Sequence, residues 1–216
     1  MGKKINFAII GCGRIAYRHI EAIEANKNAE LVAVCDLDIT RMQDRIGSRK
    51  IKTFINYNNM LRKENIDVVC ILTPSGMHDE HAIDIMSQYK KHIVLEKPMA
   101  LSVRQGEKLN KQVKKHNVKL FVAHQNRFNK AVQKIKTALK NNIIGKVALA
   151  TVRVRWSRPQ SYYDRDIWRG TWAFDGGVLT NQSIHHIDLL RWLMGDIVSI
   201  SAIAKTQFVS VEVEDT

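Results

Sequence analysis

Ile5-Asn6-Phe7-Ala8-Ile9-Ile10-Gly11-Cys12-Gly13-Arg14-Ile15-Ala16 is the stretch that decides the fold of this 216-residue chain. Residues 5–10 make a nearly continuous apolar run, and Ile15, Ile20 and Ile23 then fall at helical spacing, so the stretch reads strand, glycine turn, helix. The intervening G-x-G-x-x-A has a physical reading. Gly11 permits a tight turn, Gly13 lets the backbone approach a pyrophosphate, and Ala16 lets the helix pack close. The helix N-terminus favours the phosphate charge. Further on, Leu31 to Cys35 forms a second strand that ends in Asp36. A carboxylate there can accept hydrogen bonds from an adenosine ribose and would repel an extra ribose phosphate, which points to NAD rather than NADP.

Working outward, Asp67 to Leu72, Ile93 to Leu95 and Leu120 to Ala123 are further buried-type strands with helical stretches between them. Uninterrupted apolar strands alternating with helices imply a parallel sheet covered on both faces. The expectation is an α/β, doubly wound dinucleotide-binding (Rossmann) domain over residues 1–125. Thr73-Pro74 follows the third of these strands at its carboxyl end, where nucleotide sites gather in such sheets.

After residue 125 the pattern changes. A helix to about Asn141 leads into Lys146 to Trp156, whose alternation (VRVRW) predicts an antiparallel sheet exposed on one face. A helix from about Gln182 to Met194 stops at Gly195, and Ile197 to Ala204 and Val209 to Thr216 read as further strands. Residues 126–216 are therefore expected to form a truncated α+β domain with a mainly antiparallel open sheet. Two or three strands are too few for an independent sheet, so the chain is expected to be a fragment of a longer protein.

The formal charge of +13 is spread along helical stretches, as at Lys108, Lys111, Lys114 and Lys115, which is the pattern of solvated helix faces. Without arginine-rich blocks or aromatic stacking runs it does not indicate nucleic-acid binding, although it would steer an anionic small molecule. Cys12, Cys35 and Cys70 lack paired metal spacing and sit at the ends of apolar runs, so they read as reduced core residues and no metal site is expected. Neither a signal peptide nor a membrane span is seen, and a cytoplasmic location is expected.

Leu95-Glu96-Lys97-Pro98, closing the fourth of these strands, resembles the signature of the glucose-fructose oxidoreductase / inositol dehydrogenase / MocA family. So do GCGRIA, Thr73-Pro74-Ser75 with His78, His124-Gln125-Asn126-Arg127-Phe128, and Asp175-Gly176-Gly177 leading to His185-His186-Ile187-Asp188. The resemblance implies an NAD-dependent sugar dehydrogenase in which Lys97 and His185 flank the reacting carbon. It also implies cofactor contacts from Gly11, Gly13, Arg14, Ile15, Asp36, Thr73, Pro74, His78, Glu96, Lys97, Gln125, Trp168 and Arg169. The chemistry suits these residue types, because oxidising a secondary alcohol requires a group that takes the hydroxyl proton and another that stabilises charge on the oxygen.

On the helix after the glycine pair, Asn181, His185 and Asp188 lie near one face while Ile184, Ile187 and Leu190 or Leu193 supply a buried stripe. His186 is then structural, and Asp188 either orients His185 or caps local donors. Many sugar and inositol dehydrogenases of this family carry Asp where this chain has Asn181. An amide holds the imidazole or the substrate without giving a charge to stabilise imidazolium. Tyr162 to Trp172 is similar to the bacterial UDP-N-acetylglucosaminuronate 3-dehydrogenases of O-antigen sugar biosynthesis. That similarity implies an anionic nucleotide-sugar substrate met by Lys97, Arg155, Tyr163, Arg165, Asn181 and His185, and a homo-oligomeric full-length protein. Two other readings stand beside it: another sugar or inositol dehydrogenase of the family, and a non-catalytic NAD-binding regulator.

Overall fold

The computed structural model describes residues 2–216, which divide into a unit ending at Ala123 and a unit running from His124 to Thr216. In the first, strands and helices alternate: β1 (Ile5–Ile10), α1 (Ala16–Glu24), β2 (Ala29–Cys35), α2 (Ile39–Ile46), β3 (Lys52–Phe54), α3 (Tyr57–Lys63), β4 (Val68–Ile71), α4 (His78–Tyr89), β5 (His92–Leu95), α5 (Val103–His116) and β6 (Leu120–Val122). The strands form one sheet in the order β3-β2-β1-β4-β5-β6, and every pairing is parallel. The order reverses between β1 and β4, which opens a crevice at their carboxyl ends.

Strand alternation explains the two cores. Ala8, Ile10, Val69, Ile71, Ile93 and Leu95 face one side, where α3, α4 and α5 cover them with Met60, Ile85, Met86 and Leu109. Ile9, Val34 and Cys70 face the other, under Ile20 and Ile23 of α1 and Met42 and Ile46 of α2. Each fully buried aliphatic side chain contributes roughly 1.5–3 kcal/mol. β3 escaped the sequence reading because it is three residues long and lies at the sheet edge, where Lys52 and Thr53 face solvent and no apolar run is required.

The second unit contains α6 (Lys130–Lys140), α7 (Gln160–Tyr163), α8 (Gly177–Asn181) and α9 (Ile184–Met194). The mainly antiparallel open sheet expected here is absent among the described residues, whose strands all belong to the parallel sheet. Alternation marks a chain able to pair, but a strand exists only where a neighbour takes its N–H and C=O groups. Residues 146–156 and 197–204 have no such neighbour, and Leu149, Val198 and Ile203 are exposed. Residues 212–214 spend their polar groups on a distant loop and helix start instead of a strand: the N–H groups of Glu212 and Val213 donate to the Gly170 carbonyl. Glu214 accepts from Val178 N–H through its backbone and from Leu179 N–H through its side chain at the start of α8. No helix among the described residues is long and apolar enough to cross a membrane.

Candidate active site

In the first unit the nominated residues line up along the carboxyl ends of the strands. Gly11 follows β1 with φ +93°, and a Cβ there would lie 2.7 Å from both the carbonyl carbon and the oxygen of Leu72. The protein's own packing therefore demands glycine. Gly13 differs, since a Cβ there would meet nothing within 4 Å. Nothing in the fold excludes a side chain at Gly13, so the open space beside it suits a bound group that needs the bare backbone. Arg14 and Ile15 are exposed beside that space, and α1, with Ile15 at its N-cap position, has no side-chain cap and no acidic residue in its first turn. By contrast α2, α3 and α5 are capped by Asp38, Asn56 and Ser102. An uncapped helix start behind a glycine turn fits a pyrophosphate.

Asp36 sits at the end of β2. Its carboxylate accepts from Cys12 N–H at 2.6 Å and Asp38 N–H at 2.9 Å, which ties it to the glycine turn while leaving lone pairs for hydroxyl donors. Arg45, which no sequence motif marks, donates from Nε to the Gly13 carbonyl at 3.0 Å and steadies the turn from α2.

Beyond β4 and β5 two nominated residues are buried against protein partners. His78, nominated as a cofactor contact, is 1% exposed. Both of its ring nitrogens face carbonyl oxygens of the protein, Nδ1 toward Pro98 at 2.7 Å and Nε2 toward Thr73 at 2.8 Å, so the ring ties two loops together. Burial pushes the His78 pKa down, opposed by the two carbonyl contacts and the charge of Glu96. Glu96 is likewise buried; its Oε1 meets His19 Nε2 at 2.9 Å and its Oε2 accepts from Lys97 N–H at 3.2 Å. Burial raises the Glu96 pKa, but the His19 hydrogen bond and the charges of His19 and Lys97 outweigh it and hold the carboxyl below its ordinary range. Lys97 is half-buried between these two contacts, and its peptide bond to Pro98 is cis. Thr73 turns its hydroxyl to His81 Nδ1 at 3.1 Å, and Pro74 is half-buried beside it.

In the second unit His185 and Asn181 are each 8% exposed. The aliphatic stripe expected on α9 is corrected, for His185 is the buried residue of that helix and Ile187 lies exposed. Asn181 Nδ2 donates to Asp175 Oδ1, and Asp175, 3% exposed, accepts from Gly170 N–H at 2.8 Å through its other oxygen. A carboxylate absent at position 181 is therefore present six positions earlier, gripping the amide. Asp188 accepts from Arg127 Nε at 2.7 Å and from Arg127 Nη2. His124 Nδ1 stands 3.7 Å from Asp188, and the His124 ring meets that of His185 edge-on, centroids 6.4 Å apart. What occupies the two Asp188 oxygens is thus a guanidinium, the forked partner carboxylates favour. The His186 ring lies edge-on to Trp156 at 5.4 Å, consistent with a packing role, and Gln125 is exposed on a single helical turn, Gln125–Phe128.

The arginine-rich loop is organised around a tyrosine the sequence reading passed over. Tyr163 is 7% exposed and packed inward, whereas Tyr162 carries the polar contacts. The Tyr162 hydroxyl accepts from Arg169 Nη1 at 2.7 Å and Gln182 Nε2 at 3.0 Å. Two guanidiniums cover the Tyr162 ring, Arg169 at 4.5 Å and Arg158 at 5.2 Å, and Arg169 also stacks on Trp168 at 4.5 Å. Arg155 and Arg165 are exposed. Only the local run Tyr-Tyr was visible in sequence, and helical phase alone decides which of the pair turns inward.

Comparison with known proteins matches this architecture. The "Oxidoreductase family, NAD-binding Rossmann fold" model of GFO/IDH/MocA matches residues 5–124, and the GFO/IDH/MocA C-terminal domain matches residues 132–216. The WlbA dehydrogenase of Bordetella pertussis, solved in complex with NADH and UDP-GlcNAcA, has a TM-score of 0.94 and 39% identity over 100% of this chain and 64% of that one. Among curated proteins, the uncharacterized oxidoreductase YrbE of Bacillus subtilis is 31% identical over 92% of this chain. The myo-inositol 2-dehydrogenase of Thermotoga maritima is 28% identical over 90% of it. The chain spans 56% of each of those two relatives. A glycine turn wedged under Leu72, an acid closing β2, the Glu96-Lys97-Pro98 step and two matched domains together make this chain a member of the GFO/IDH/MocA oxidoreductase family.

Proposed function

We propose that the protein is an NAD-dependent dehydrogenase that oxidises the C3 hydroxyl of UDP-N-acetylglucosaminuronate, a step of O-antigen sugar biosynthesis. The observation that carries this reading is the likeness, over the whole chain, to an enzyme solved with NADH and UDP-GlcNAcA. When bound, NAD supplies the acceptor for the hydride leaving the sugar carbon. The protein's residues do the rest. The glycine turn and α1 hold the pyrophosphate, Asp36 takes the ribose hydroxyls, and His185 accepts the hydroxyl proton on its ring. Lys97 Nζ donates to the oxygen as it becomes a carbonyl. The secondary alcohol loses one hydride and one proton, so sugar and cofactor exchange two electrons and balance.

Asn181, fixed by Asp175, serves as the neutral partner that orients substrate or imidazole. The diphosphate and uronate carboxylate suit the guanidiniums around Tyr162, which replaces Tyr163 as the aromatic centre of that loop. Trp168 and Arg169 are kept as cofactor-side residues by the resemblance. A second reading, oxidation of an inositol, is favoured by the myo-inositol 2-dehydrogenase relative. Stopped-flow absorbance of NADH separates them: UDP-N-acetylglucosaminuronate is expected to reduce bound NAD, with the signal lost in Lys97→Ala and His185→Ala. A signal from myo-inositol alone would overturn the nucleotide-sugar assignment.

A further inference from the structure

Glu96 and Lys97 follow β5 directly, and the two oxygens of Glu96 are divided between a residue of α1 and the backbone of Lys97. His19 is the fourth residue of α1. Side chains of a helix lean toward its N-terminus, so this ring is carried toward the strand ends where the glycine turn lies. His19 and Glu96 side chains are only 14% and 12% exposed. A buried carboxylate is costly unless partnered, and a pair of apolar residues would pack there at less cost, so stability alone is a poor reason to retain the pair.

On the other side of Lys97 the Pro98 carbonyl meets His78 Nδ1 at 2.7 Å. The lysine therefore has a fixed contact on each flank: its own N–H is held through Glu96 by α1, and the next carbonyl is held by α4. The helix proposed to receive the cofactor phosphate is thereby linked, through His19 and Glu96, to the backbone of Lys97.

We infer that His19 is a positioning residue for Lys97, acting through Glu96 and coupling the pyrophosphate helix to the group at the reacting carbon. The inference rests on the reading of Lys97 given under the proposed function. Gln at position 19 can donate an amide N–H to Glu96 Oε1, and Ala cannot.

The test compares wild-type protein, His19→Ala and His19→Gln by NAD titration and by the rate of bound-NAD reduction on mixing with UDP-N-acetylglucosaminuronate, below the melting temperature of each. His19→Ala is expected to bind NAD as the wild type does and to reduce it roughly 10- to 100-fold more slowly, the cost of a misplaced reacting group. His19→Gln is expected to recover most of that rate. A wild-type rate in His19→Ala, no recovery in His19→Gln, or NAD affinity falling in step with the rate would each overturn the inference. Should wild-type protein reduce no NAD with this sugar, the substrate reading fails instead. The NMR signal of isotopically dimethylated Lys97, assigned by its absence in Lys97→Arg, then decides. A signal displaced in His19→Ala and restored in His19→Gln supports positioning, and an unmoved signal overturns it.

Discussion

The backbone N–H of Cys12 donates to the Asp36 carboxylate at 2.6 Å, so the acid at the end of β2 is part of the glycine turn as well as a neighbour of it. Asp36→Ala removes the acceptor that ribose hydroxyls would use and releases the Cys12 N–H. NAD affinity is expected to fall roughly 10- to 100-fold, the worth of hydrogen bonds to a charged group. Discrimination against NADP should narrow as well. Parallel titrations with the two cofactors check both, and an unchanged affinity ratio would remove Asp36 from cofactor selection.

Gly11 and Gly13 should separate folding from binding. Gly11→Ala forces a Cβ against the Leu72 carbonyl in a backbone conformation that disfavours side chains, with an expected loss of roughly 2–5 kcal/mol. Gly13→Ala places its methyl in open space. It should leave the melting temperature near that of the wild type while weakening NAD. Melting curves with and without NAD distinguish the two variants.

His78 gives stability a pH dependence whose sign is fixed. Its pKa is lowered in the folded protein from an ordinary 6.5, so below 6.5 the unfolded chain binds a proton that the folded chain resists. Stability is full above that value and is lost as pH falls toward the depressed folded pKa. Glu96, lowered from an ordinary 4.5, acts in a separate and more acidic window. His78→Gln should flatten the decline just below 6.5 and leave the acidic one in place; chemical denaturation across that range reads the difference.

Asn181→Asp restores the acid common in related sugar dehydrogenases, yet here it should harm the protein. Asp175 already faces position 181 and is buried, and two carboxylates in contact repel unless they share a proton. At neutral pH the variant is expected to lose on the order of 2–3 kcal/mol, with part of the loss recovered on acidification. A variant as stable as the wild type at neutral pH would show that Asp175 does not grip residue 181.

The first unit was legible because its chemistry is local. An apolar run, a glycine turn and an acid after the second strand all lie within residues 5–36, and the family motifs fall in order behind them. What escaped depends on distant partners. His19 lies 77 positions from Glu96 and Arg45 lies 32 from Gly13, and neither carries a sequence mark. His78 was recognised by motif, but only the fold reveals the two carbonyls that enclose its ring. In the second unit, alternation at VRVRW reported that these residues can pair. It carried no information on whether anything pairs with them.

The three thiols have a practical consequence. Cys12, Cys35 and Cys70 are all buried in the first unit, and burial, the largest cause, holds each pKa at about 12. Almost no thiolate exists in the closed state near neutrality, and thiolate is the species that alkylating reagents attack. Labelling must therefore wait for the sheet to open. The chain carries its own stopwatch: the pace of thiol capture times the breathing of the cofactor-binding half and stays silent on the rest.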